Sequence, residues 1–177
     1  MALGAASVCF YAAHVGRYLY LRQPESALWI CHLGALLVGI GLLTRNGTLN
    51  AIGTLWLLVG LPLWIYDLVK AGGWSIPTVL THVFGPIIGL LGVRMLGMPT
   101  GLWWKSLAGL APVFALSRWL TPPWANINLS HGLYPGSEAV FPNYAVYIAT
   151  LAGLYTGAAF LLQVLARRLG CKPPEPA

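Results

Sequence analysis

Six apolar stretches, each close to the length of a membrane crossing, occupy most of this chain; they run over residues 2–21, 27–44, 50–70, 77–97, 103–120 and 143–167. A spanning α-helix needs about 20 mostly apolar residues. The charge count agrees. Four acids and ten bases in 177 residues make 8% charged, against about 25% in a soluble domain. So few charges cannot coat a water-exposed surface. A soluble enzyme, a disordered regulator and a secreted disulfide scaffold are excluded. The expected fold is an all-α integral membrane bundle of six transmembrane helices. It becomes five if the first stretch, which carries His14 and Arg17, lies in the interface; Arg17 sits near its end, where it can snorkel, which favours a span. One domain covers 1–170, followed by a short Pro-rich tail over 171–177.

The punctuation between stretches fits these bounds. Gln23-Pro24-Glu25-Ser26 precedes the second stretch and Arg45-Asn46-Gly47 follows it. Gly72-Gly73 closes the third, Pro77 opens the fourth, and Met98-Pro99-Thr100-Gly101 separates the fourth from the fifth. The N-terminus has neither a basic n-region nor an A-x-A cleavage site, so the first stretch reads as a retained helix. The one long connection runs from Thr121 to Pro142. Two ladders of small residues predict close helix packing: Gly85, Gly89 and Gly92, then Ala145, Ala149, Gly153 and Gly157.

The net charge of +6 comes mostly from single bases between apolar runs. That pattern matches the positive-inside bias and gives no continuous basic face for nucleic acid. Call side A the face where the second stretch begins. Side A collects Arg17, Arg22, Lys70 and Arg118. Side B collects Arg45, Arg94, Lys105, Arg167, Arg168 and Lys172. The excess on side B predicts a multi-pass cell-membrane protein with a cytoplasmic C-terminus and the 121–142 connection outside. Cys9, Cys31 and Cys171 show no C-x-x-C spacing, so zinc ribbons and c-type haem attachment lack support.

The polar residues gather on side A. His14, His32, Asp67 and His82 fall in the side-A halves of four stretches, and Asn126, Asn128 and His131 lie in the side-A connection. Ionisable residues inside a membrane are costly and usually face a bundle interior or cavity. Each also has an ordinary structural explanation. A lone His at a helix end is often an interfacial hydrogen-bonder. Asp67 can pair with Lys70, three residues on. Cys31 can be a small core residue. Asn126 and Asn128 can be turn formers. Trp56, Trp64, Trp74, Trp103, Trp104, Trp119 and Trp124 read as aromatic-belt anchors.

Three roles suit this layer. In thiol acyl transfer Cys31 is the nucleophile, His82 the base and Asp67 the orienting acid, with no cofactor and a membrane lipid as substrate. In metal or haem ligation His32 and His82 act as axial ligands of haem b, or His14 and Asp67 complete a mixed N/O metal site. In the third role the layer fastens a non-enzymatic subunit to a larger membrane complex. The expected geometry is a cavity open to side A, lined by His32, Asp67 and His82, with the 121–142 connection folded over it and His131 within reach.

Leu28-Trp29-Ile30-Cys31-His32-Leu33, with Trp64-Ile65-Tyr66-Asp67, His82 and Thr121-Pro122 leading to Asn126-Ile127-Asn128, resembles an uncharacterised family of small bacterial membrane proteins over roughly residues 24–165. More distantly, the order of elements resembles the YwaF-like bacterial membrane proteins and the mammalian ether-phospholipid acyltransferases. That resemblance implies a lipid acyltransferase in which Cys31 and His82 take the paired positions and the Asn126–Asn128 stretch matches a similar Asn segment. The relatives tend to show His-Leu-Cys where this chain has Cys31-His32-Leu33. Aligning on the His would put Gly34 at the nucleophile position.

Overall fold

The computed structural model of the protein describes residues 1–72 and 74–171. It is all-helical, with no strand among the described residues. Six long helical segments follow the apolar stretches: α1 (Ala2–Tyr20), α2 (Ile30–Leu43), α3 (Gly47–Ala71), α4 (Ile76–Leu96), α5 (Leu102–Leu120) and α6 (Tyr144–Arg168). Three of them are long and apolar enough to cross a membrane: Gly47–Lys70, Ile76–Leu96 and Tyr144–Arg168. Helix α2 is apolar but only 14 residues long. Apart from Cys171, the Pro-rich tail lies outside the described residues.

The helix ends show why the chain breaks where it does. Asn46 caps α3 by accepting the Leu49 N–H at 3.0 Å, and Asn143 caps α6 by accepting the Val146 N–H at 3.0 Å. Gly72 ends α3 in the left-handed region, φ 66°, where glycine pays no Cβ penalty. The first N–H of α5, on Leu102, donates to the Gln163 side chain of α6 at 2.9 Å. A helix start left unpaired inside the protein would be costly.

Helix α3 is the hub. Its Ala51, Ile52, Leu55 and Trp56 pack with Val93 of α4, Leu102 of α5, and Tyr155 and Ala159 of α6. On its other side Leu57 packs with Ala35, Val38 and Leu42 of α2 and Ile88 of α4. Trp56, read from sequence as a belt anchor, is only 3% exposed and belongs to this core; its place mid-helix, far from either end of α3, is the reason. The first small-residue ladder is used: side chains at Gly85, Gly89 and Gly92 would run into Leu57, Thr54 and Asn50 of α3. The second makes no helix contact. Ala145, Ala149, Gly153 and Gly157 are exposed, with nothing within 4 Å of a Cβ at either glycine.

A Cβ at Gly53 would lie 2.5 Å from the Gly34 carbonyl oxygen, a backbone atom that cannot move without shifting α2. Gly53→Ala is expected to destabilise the protein by about 1–3 kcal/mol, the usual cost of overpacking. Gly153→Ala should be neutral or stabilising by up to about 1 kcal/mol through helix propensity. Thermal melts of the two variants in detergent check this; equal midpoints would contradict the packing.

Helix α4 is irregular at one place. The Gly85 N–H bonds the Leu80 carbonyl five residues back, so Leu80–Phe84 forms one π-helical turn. Pro86 explains it: proline has no N–H to donate, and its ring collides with the carbonyl four residues back, that of His82. The wider turn relieves the collision. His82 therefore sits on the distorted turn, one of the commoner settings for functional residues.

Candidate functional site

Three histidines from three helices meet at the side-A end: His14 of α1, His32 of α2 and His82 of α4. They are 1%, 2% and 3% exposed. Ring centroids lie 3.9 Å apart for His14–His32, 5.9 Å for His32–His82 and 6.3 Å for His14–His82. The Trp64 indole of α3 stacks parallel on His82 at 4.8 Å, and Tyr18 packs on His32 at 5.5 Å.

All three rings are oriented in the same way. His14 Nδ1 lies 3.1 Å from the Pro77 carbonyl oxygen and 3.1 Å from Thr81 Oγ1. His32 Nδ1 lies 2.9 Å from the Ser26 carbonyl, and His82 Nδ1 lies 2.9 Å from the Thr78 carbonyl. A carbonyl only accepts, so each Nδ1 must carry the proton and donate. In a neutral ring that leaves the lone pair on Nε2, and no Nε2 of these three has a hydrogen-bond partner among the described residues. The partly buried Cys31 precedes His32. One donor atom each from Cys31, His32 and His82 lies within 4.8 Å of the others.

The other sequence candidates occupy two further settings. The 121–142 connection packs against the start of α2, held by one side chain. Asn128 Oδ1 accepts the Ile30 N–H at 2.8 Å, and Asn128 Nδ2 donates to the Leu28 carbonyl and to Ser117 Oγ, both at 2.8 Å. Trp29, at the N-cap of α2, makes no side-chain cap bond, so Asn128 supplies the missing cap from 98 residues away in sequence. Asn126 works within the connection, accepting the His131 and Gly132 N–H groups and donating to the Gly132 and Leu133 carbonyls. His131 Nε2 sits 3.5 Å from Thr121 Oγ1. All three residues are half-buried.

Asp67 stands apart from the histidines. It is exposed and accepts a hydrogen bond from the Tyr134 hydroxyl. Partial burial, and then this carboxylate, push the Tyr134 phenol above its ordinary range. Lys70 does not pair with Asp67; its Nζ lies 5.8 Å from the Tyr66 ring centroid. Three contributors lie outside the site residues that the sequence indicates. Trp64 reads from sequence as a belt anchor, although its position three residues before Asp67 puts it nearly one turn deeper on the same helix. Ser117 and Tyr134 carried no sequence signal, because their roles depend on contacts between distant segments.

Comparison with protein families, curated proteins and solved structures finds no match to the chain.

Proposed function

We propose that this chain is a multi-pass cell-membrane protein, its C-terminus cytoplasmic, that binds a transition-metal ion through Cys31, His32 and His82, with the His14 ring packed on His32 beside them. The observation that carries the reading is the shared pinning of three imidazoles by backbone carbonyls. Metal-ligating histidines almost always donate their second ring N–H in this way, which fixes the tautomer and aims the other nitrogen. A catalytic Cys–His pair requires one such imidazole; three in contact suit a metal.

The donor set fits a thiophilic ion such as Zn²⁺ or Cu⁺. With Zn–N near 2.0 Å and Zn–S near 2.3 Å, ligand atoms of a tetrahedral site lie roughly 3.3–3.7 Å apart. Donors within 4.8 Å of one another need to close by about an ångström to reach that. Haem b fits less well. A flat macrocycle would have to lie between His32 and His82, where the Cys31 donor already lies within 4.8 Å of both.

The membrane reading extends from the three long apolar helices to the others. Helices α1 and α5 have 19 residues each, a length of about 28 Å at 1.5 Å per residue, close to the roughly 30 Å hydrocarbon core. Trp103 and Trp104 at one end of α5 and Trp119 at the other are exposed, as in an interfacial belt. Helix α2 is shorter and is extended by the 3₁₀ turn Pro24–Leu28.

The test is metal titration of the full chain purified in maltoside, with elemental analysis and X-ray absorption. One ion per chain, with one sulfur near 2.3 Å and two or three nitrogens near 2.0 Å, is the expected result. A chain that retains no Zn²⁺ or Cu⁺ would overturn the reading.

Acyl transfer remains the second reading, favoured by the nearness of Cys31 to His82 and by the distant resemblance to lipid acyltransferases. Asp67 does not support it, because its carboxylate is bonded to Tyr134. The readings separate on His32→Ala: acyl exchange between lipids should survive it, because adjacent helix positions point about 100° apart, whereas metal binding should not.

A further inference from the structure

Between the 121–142 connection and the ends of α2 and α3 lies a cleft of about 450 Å³, within the usual size of small-ligand sites. Trp29, Asp67, Trp124, His131 and Tyr134 line it. Its wall is therefore aromatic and its formal charge negative. The Asp67 carboxylate has no cation paired with it among the described residues, and Lys70 is turned to Tyr66. The Tyr134 hydroxyl occupies one Asp67 oxygen; the second has no partner among the described residues. Trp124 is 76% exposed, leaving the ring available to a ligand.

We infer that this cleft binds an alkylammonium group, supplied in the membrane by the choline or ethanolamine headgroup of a phospholipid. A cation is attracted to aromatic faces by their quadrupole, and quaternary ammonium ligands are commonly held by several aromatic rings. The carboxylate adds Coulomb attraction and disfavours an anionic headgroup. The N-terminus of α2, the C-terminal turn of α3 and the connection meet here, at the end of the molecule where a headgroup layer would lie. The inference shares the membrane setting of the proposed function and does not depend on the metal.

The experiment uses the full chain in maltoside. In the soluble arm, saturation-transfer NMR reads the N-methyl protons of choline at constant ionic strength. In the lipid arm, native mass spectrometry compares retention of phosphatidylcholine and phosphatidylglycerol. Saturable transfer to choline and preferential retention of phosphatidylcholine are expected. Asp67→Asn keeps an acceptor for Tyr134 but removes the charge, and should weaken binding roughly three- to tenfold. Trp124→Ala should weaken it by a similar factor, with helical circular dichroism and metal content unchanged in both. A lipid preference without choline binding identifies a headgroup held together with its chains, and choline binding without a lipid preference identifies a soluble ligand; both support the site. Absence of binding in both arms, or equal binding by Asp67→Asn, overturns it. The metal content read on the same samples separates this outcome from failure of the metal reading.

Discussion

His32→Ala is expected to lose metal retention, with affinity falling at least about 100-fold, more than the 10–100-fold usual for loss of a supporting hydrogen bond. His82→Ala and Cys31→Ala should behave alike, since each removes one donor of a small set. His14→Ala should lower affinity less, because its ring supports His32, on which it lies at 3.9 Å, and is not one of the three donors that lie within 4.8 Å of one another. Cys9→Ser and His131→Ala serve as controls, because Cys9 is exposed and His131 sits by Thr121. Elemental analysis and competition with a chromophoric chelator read the affinities. Since imidazole and thiol must lose their protons to bind, affinity should rise with pH and fall in acid. His32→Gln guards against collapse of the buried layer by keeping a polar side chain. Full metal retention by His32→Ala, His82→Ala and Cys31→Ala together would sink the site, leaving the polar layer to packing or to attachment within a larger membrane complex.

Much of the helical framework is legible in the sequence because each run is long, apolar and closed by Pro, Gly or Asn. The depth of each histidine follows from counting turns from a helix end, so a shared layer of His14, His32 and His82 can be read without coordinates. What a helical period does not encode is which faces meet. Asp67 and the histidines lie at similar depth, yet the carboxylate turns outward to Tyr134, a residue 67 positions away. Trp64, nearly one turn deeper, turns inward onto His82. The two ladders make the same point. Similar spacing of small residues packs α4 on α3 and leaves the ladder face of α6 uncovered, because spacing marks a helix face that can be approached and not the partner that approaches it. The π turn has a local signal in Pro86, but its effect on His82 is visible only once the carbonyl it displaces is identified.

Asn128→Ala is expected to lower stability by roughly 3–4 kcal/mol. Its side chain makes three hydrogen bonds of 2.8 Å to three separate groups: the Ile30 N–H, the Leu28 carbonyl and Ser117 Oγ. Each is worth about 1 kcal/mol net, and losing them strands partners that are partly shielded from water. Asn128 also has φ 54°, a left-handed conformation that asparagine tolerates better than alanine. Asn128→Gly separates the two contributions, since it removes the hydrogen bonds and relieves the backbone; it should recover up to about 1 kcal/mol relative to alanine. Ser117→Ala, which loses one bond of the three, should cost about 1 kcal/mol. Thermal melts give the order, with hydrogen exchange at Ile30 reporting the lost cap directly. The effect should reach the site, because Cys31 and His32 directly follow Ile30 and the Ser26 carbonyl that orients His32 lies in the 3₁₀ turn ending at Leu28. A freed α2 start lets both donors drift, so metal affinity should fall about tenfold, the lower end of what loss of a supporting contact costs. If Asn128→Ala melts like the unaltered chain and binds metal equally well, the connection is an independent loop, and the capping of α2 across 98 residues does not hold the site.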